Sequence, residues 1–122
     1  MRAEVAYILG YDFDVLASVG NGRAAVQAAV QLMPDIVVLD VSMPGLDGLE
    51  AALRLKAQRC AAKIIFLSTS AEPEQVNACL AAGGDAFVSK DRVSLDLVHA
   101  VHEVLAGRLF FDVTPDYTGA LN

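Results

Sequence analysis

The sequence predicts one α/β domain built on a doubly wound parallel sheet, and three observations carry that expectation. Short, continuously apolar runs alternate with segments of helical periodicity, and Gly, Pro or Ser punctuates the junctions. Of the 122 residues, 55% are hydrophobic and 20% charged, and mean hydropathy is +0.46. That composition is too apolar for a disordered chain, and the length suits a single core. Strands alternating with helices of this length imply βαβ units with helices on both sheet faces.

Taken in order, residues 13–19 (FDVLASV) are rich in strand formers, and Asn21 and Gly22 follow as a turn and helix cap. Val26, Ala29, Val30 and Met33 fall at i, i+3, i+4 and i+7, which predicts a helix over 23–33 stopped by Pro34. Ile36 to Leu39 reads as a strand buried on both faces, ending at Asp40. After a turn at 42–48, Leu49, Ala52 and Leu53 share one side of a helix over 49–57. Ile64 to Leu67 repeats the buried-strand signature and stops at Ser68. Pro73 suits a first helical position, with Val76, Cys79 and Leu80 as an apolar stripe ending at Gly83 and Gly84. Ala86 to Val88 is a brief strand before Ser89 and Lys90. Ser94 then caps a last helix carrying Val98, Val101, His102 and Leu105 before Gly107.

Nine basic and fifteen acidic side chains give a formal net charge of −6 and a pI near 4.6, with no Lys/Arg run. Phosphate backbones and anionic membranes therefore find little to hold, and direct nucleic-acid binding is not expected. The opening MRAEVAYILG lacks the features of a signal peptide, no apolar stretch is long enough to span a bilayer, and a cytoplasmic location is expected. Cys60 and Cys79 have neither the number nor the spacing of a disulfide framework or zinc site and read as free thiols.

In doubly wound sheets the chemistry lies beyond the carboxyl ends of the strands. Three such ends here carry polar groups: Asp40, Ser68 and Lys90. A nucleophilic carboxylate, a hydroxyl donor and a neutralising ammonium are parts that phosphoryl transfer requires. Taken singly, each has a plainer reading as a turn residue, a cap and a solvated lysine.

The motifs VVLDVSMPGLDGLEAALRLK, KIIFLSTS and AAGGDAFVSKD occur in that order. With them, roughly residues 1–111 resemble the receiver domain of bacterial two-component response regulators, whose fold is flavodoxin-like (CheY-like). The likeness is to the NarL/LuxR-type branch, whose members are fused to DNA-binding domains. The resemblance implies that Asp40 is the phosphoacceptor, charged by a sensor histidine kinase with Mg2+. It implies that Ser68 and Phe87 are the switch hydroxyl and switch aromatic, and that Lys90 pairs with the phosphoryl oxygens. The Ser42 backbone carbonyl matches a magnesium-ligand position beside Asp40, Pro44 and Gly45 shape the loop, and Gly48 lets it close on the next helix. Thr69 matches a phosphoryl-binding position beside the phosphorylation site, where the family usually has Ala or Gly, and its bulk implies slow turnover. The switch is a population shift: charge at Asp40 favours a conformer that presents a different face around Phe87 to a partner or effector domain.

The chain departs from the family at its front. MRAEVAYILG aligns within the first helix, so the first, central strand and its two metal-binding acids are missing. That leaves the edges at 13–19 and 36–39 with backbone groups to satisfy. Residues 1–108 are taken as the receiver-like domain and 109–122 as a tail, which has two readings. It is the ordinary linker leaving the last helix, or Leu109 to Asp112 inserts as the central strand, in its own chain or swapped into a homodimer, with Asp112 supplying one missing acid. The same gap takes away the acidic pair with which the family holds magnesium.

Two functions from different classes follow. One is a phosphorylation-driven receiver serving transcription regulation, which is not an enzyme. The other is a phosphorylation-deficient pseudo-receiver acting as a dimerisation or protein-interaction module. A phosphatase of the haloacid-dehalogenase type is disfavoured because Ser42 stands where such enzymes need a second carboxylate. His99 and His102 share a helix face but lack a third ligand, and Asp12 and Asp14 read as a solvated turn. Asp47 and Glu50 suit the start of a helix, and Gly20 and Gly22 lack the rest of a dinucleotide fingerprint.

Overall fold

A computed structural model describes residues 22–41, 48–69 and 72–111. Its elements in chain order are α1 (Gly22–Leu32), β1 (Ile36–Asp40), α2 (Gly48–Ala57), β2 (Lys63–Ser68), α3 (Pro73–Ala81) and β3 (Ala86–Ser89). A 3-10 turn (Lys90–Arg92), α4 (Val93–Leu105) and β4 (Phe110–Phe111) complete the described chain. The four strands form one parallel sheet in the order β1-β2-β3-β4. This is the doubly wound, flavodoxin-like arrangement expected.

The pleat sends alternate strand residues to opposite faces, and each face has its own core. On one side Val37, Leu39, Ile64, Phe66 and Phe87 pack against Ala25 and Ala29 of α1, Ala51, Ala52 and Leu55 of α2, and Val76 and Cys79 of α3. On the other, Ile65, Leu67, Ala86 and Val88 meet Val93, Leu97, Ala100, Val101 and Val104 of α4. Ile65, Phe66, Phe87 and Leu97 are fully buried, and burying each such side chain is worth roughly 1.5–3 kcal/mol. Burial pushes the Cys79 thiol up to about 12, so it behaves as a small hydrophobe.

The buried helix faces differ in places from the periodicity reading. In α2 the inward residues are Ala51, Ala52 and Leu55, while Leu53 is exposed. In α4 they are Leu97, Ala100, Val101 and Val104, while Leu105 and His102 face out. Val30, Met33 and Leu80 are also exposed. The reason is an excess of apolar side chains: where one helix offers two candidate stripes, the sheet takes the one carrying small residues, which lets the backbones approach. Ser94 is not the cap of α4; the helix starts at Val93 with Arg92 before it, and the Arg92 guanidinium reaches Asp96 at 2.8 Å.

Of the two tail readings, insertion as the central strand of the same chain is corrected by β4. Phe110 and Phe111 pair in parallel with Ala86 and Phe87, at the edge of the sheet opposite β1, so this segment does not fill a slot beside β1. Gly107, at φ +86°, turns the chain out of α4 in a left-handed conformation that suits glycine. The direction of that turn, and the apolar grip on the two rings, decide the edge. Phe111 stacks on Phe87 with centroids 6.4 Å apart, and Phe110 lies 4.9 Å from the His99 ring.

Beside it, Arg108 holds the Glu103 carboxyl below its ordinary range, chiefly by a hydrogen bond from its Nε, with His99 also contributing. A lowered folded-state pKa adds stability above the unfolded value and loses it as pH falls through the folded one. Arg108→Ala is therefore expected to raise the Glu103 titration midpoint in a carboxyl NMR titration. The stability gap between the two proteins should close on acidification, and an unchanged midpoint would disprove the assignment.

Candidate functional site

Register brings the polar strand ends together. Asp40 is level with Leu67, Leu67 with Val88, and Ser68 with Ser89, so Asp40, Ser68 and Lys90 emerge at the same edge of three adjacent strands. The Val41 amide donates to the Leu67 carbonyl at 2.9 Å and fixes β1 against β2 just past the aspartate. Lys90 Nζ forms an ion pair with Asp40 Oδ2, bridging across the end of the strand that Ser68 terminates. Their side chains are 19% and 22% exposed, so the pair is partly desolvated yet open to solvent. A partly buried carboxylate is costly without such a partner.

Ser68 is buried, and its hydroxyl donates a 2.7 Å hydrogen bond to Oε1 of Gln75 in the first turn of α3. Thr69, the next residue, is exposed. Phe87 is fully buried between Phe111 and the core that contains Phe66. Gly48 opens α2 directly against the site: a Cβ there would stand 2.3 Å from the Asp40 carbonyl oxygen and 2.9 Å from its carbon. Its amide also donates to the Val41 carbonyl at 3.2 Å. Gly48 thus sits directly against the aspartate's own backbone.

The structure places Asp40, Ser68, Thr69 and Lys90 at one edge, with Phe87 beneath in the core. Ser42, Pro44, Gly45 and Asp112 lie outside the described residues, as do Asp12 and Asp14. Among the described residues no group of three or more His, Cys, Asp or Glu could hold a metal ion. Asp40 is the carboxylate at the strand ends, and one carboxylate already paired to an ammonium does not make a magnesium site. The described donors alone therefore do not fit Mg2+.

Two residues escaped the sequence reading. Gln75 reaches the site through Ser68, and only its helical position, seven residues on, hints at that. Asp85 accepts a hydrogen bond from the Ile64 amide at 2.9 Å and ties β2 to the turn before β3. An Asp after a glycine pair reads as turn chemistry, with no sign of that longer reach.

The profile of the response regulator receiver domain matches residues 1–102. The nitrate/nitrite response regulator protein NarL of Escherichia coli is 34% identical over 98 residues, covering 80% of this chain and 45% of that protein. The transcriptional regulatory protein DesR of Bacillus subtilis is 35% identical over 100 residues, covering 82% and 49%. The crystal structure of a LuxR-family DNA-binding response regulator from Staphylococcus aureus superposes with a TM-score of 0.79 at 28% identity, covering 84% of this chain and 88% of that one. A LuxR-family two-component response regulator from Aurantimonas sp. SI85-9A1 gives 0.79 at 27%, covering 86% and 78%. The chain belongs to the response regulator receiver domain family, in its NarL/LuxR-type branch. It spans about half the length of the curated relatives it matches. Among the described residues no helix is long and apolar enough to cross a membrane.

Proposed function

We propose that this chain receives a phosphoryl group on Asp40 from a sensor histidine kinase and thereby switches an effector domain or partner protein in transcription regulation, in the cytoplasm. The carrying observation is the Asp40 carboxylate at the end of β1, partly open and held by Lys90 across the end of β2. In the transfer, an Asp40 oxygen forms a bond to phosphorus as the phosphorus–nitrogen bond of phosphohistidine breaks. The imidazole nitrogen keeps the electron pair and takes up a proton, leaving an acyl phosphate on Asp40. Lys90 neutralises charge on the phosphoryl oxygens, the Ser68 hydroxyl donates to one of them, and Thr69 borders the approach. When bound, Mg2+ would add further charge neutralisation, with Asp40 and the Ser42 carbonyl as its candidate ligands. The receiving unit is residues 1–108, with 109–122 leading to the output element. With a net charge of −6, that output reaches DNA through another domain or protein.

A second reading, a phosphorylation-deficient module for dimerisation or protein interaction, is favoured by one observation: the described donors do not complete a metal site. One experiment separates the two. The full chain is incubated with magnesium and a small acyl phosphate donor and examined by intact-mass spectrometry. One added phosphoryl group is expected, absent in Asp40→Asn. No labelling under these conditions would select the interaction module, and labelling that survives Asp40→Asn would move the site elsewhere.

A further inference from the structure

The Ser68 hydroxyl is not idle in this structure: it is committed to Gln75 Oε1 at 2.7 Å, at the position from which, on the function proposed above, it must reach a phosphoryl oxygen. Gln75 lies in the first turn of α3, the most lightly anchored of the described helices. That helix buries Val76 and Cys79, whereas α1 and α2 each bury four residues and α4 buries six. Its start has Pro73 at the first position, and Glu72 makes no side-chain cap. A polar tie from a buried strand-end hydroxyl to such a helix therefore fixes both partners: it orients Ser68 and holds the start of α3 against the end of β2.

We infer that Gln75 is a positioning residue that competes with the phosphoryl group for the Ser68 hydroxyl, holding the switch in its resting state until that bond is exchanged. A hydroxyl has one proton to donate, so it cannot serve Gln75 Oε1 and an anion at Asp40 together. Binding of the anion must release Gln75, and release loosens α3. The inference rests on Asp40 being the anion site, and the test separates the two failures.

Beryllium fluoride, a phosphoryl mimic, is titrated into the full chain in magnesium buffer and followed by amide NMR at residues 40–41 and 68–69. Gln75→Ala is expected to tighten the apparent Kd about fivefold, the net worth of one hydrogen bond no longer broken on binding. Gln75→Met, which keeps length without the acceptor, should do the same and guards against a local helix defect in the alanine variant. The effect must vanish in the Ser68→Ala background and persist in Ser68→Thr, which keeps the hydroxyl. In the anion-free protein, Ser68→Ala should also shift the Gln75 side-chain amide resonances. Unchanged or weaker binding in both Gln75 variants, or equal tightening without the hydroxyl, overturns the inference while leaving Asp40 as the anion site. A wild-type chain that shows no change at residues 40–41 on titration overturns the Asp40 reading and this inference with it.

Discussion

Gly48→Ala is expected to destabilise the fold by about 3 kcal/mol, the upper part of the range for forcing a methyl group into packed space. The added Cβ would meet the Asp40 carbonyl oxygen at 2.3 Å, its carbon at 2.9 Å and the Val41 Cα at 3.0 Å. All three are backbone atoms flanked by the β1–β2 ladder, so no side chain can swing aside. Relief has to come from displacing α2 or the end of β1, and the second course carries Asp40 away from Lys90. Urea denaturation should show a lower midpoint with an unchanged slope, and amide shifts should change at residues 40 and 41. Gly107→Ala is the control: nothing stands within 4 Å of its Cβ, and its φ of +86° costs only about 1 kcal/mol. Equal losses at the two positions would show that close approach to Asp40 is not what Gly48 provides.

Phe87→Ala should cost about 3–5 kcal/mol, the usual penalty for emptying a large aromatic site. Against a typical domain stability of roughly 5–15 kcal/mol, that removes a large part of the whole. Phe87 is fully buried, pairs in register with Phe66 and stacks on Phe111 at an interplanar angle of 19°. Phe87→Leu, which keeps most of the volume, should lose about 1 kcal/mol. Phe111→Ala should fall between, because that ring is only partly buried. Thermal unfolding of the three variants checks the order, and a Phe111→Ala loss equal to that of Phe87→Ala would contradict it. The same burial bears on switching: whatever moves Phe87 must open the core or shift β4.

The strand ends were legible in the sequence because a parallel strand buried on both faces is a continuous apolar run, and its first polar residue marks the rim. Asp40 and Ser68 announce themselves in that way, and Lys90 follows a third such run. Gly48 was legible too, since a glycine closing a tight loop signals approach between backbones. The faces of α2 and α4 were not, because Leu53, Leu105 and other apolar residues lie outside the buried stripe, and periodicity cannot choose between overlapping stripes. Nor was β4: two phenylalanines are too short a run to show their partner, and their edge is settled by the turn at Gly107 and the contact with Phe87. Gln75 was hidden for a different reason. A polar residue on a helix surface has no signature for the one hydroxyl it reaches.

The all-parallel sheet also governs how the molecule is made. Partners such as Ile36 and Lys63, or Ala86 and Phe110, have a helix between them in the chain, so no two of the described strands can form an early hairpin and template the rest. Each ladder begins only after a long loop has closed, an entropic toll that comes before any pairing rewards it. Folding should accordingly be slower than in a helical bundle of equal size, and during that delay Ile64 to Leu67 stay open to association with other nascent chains.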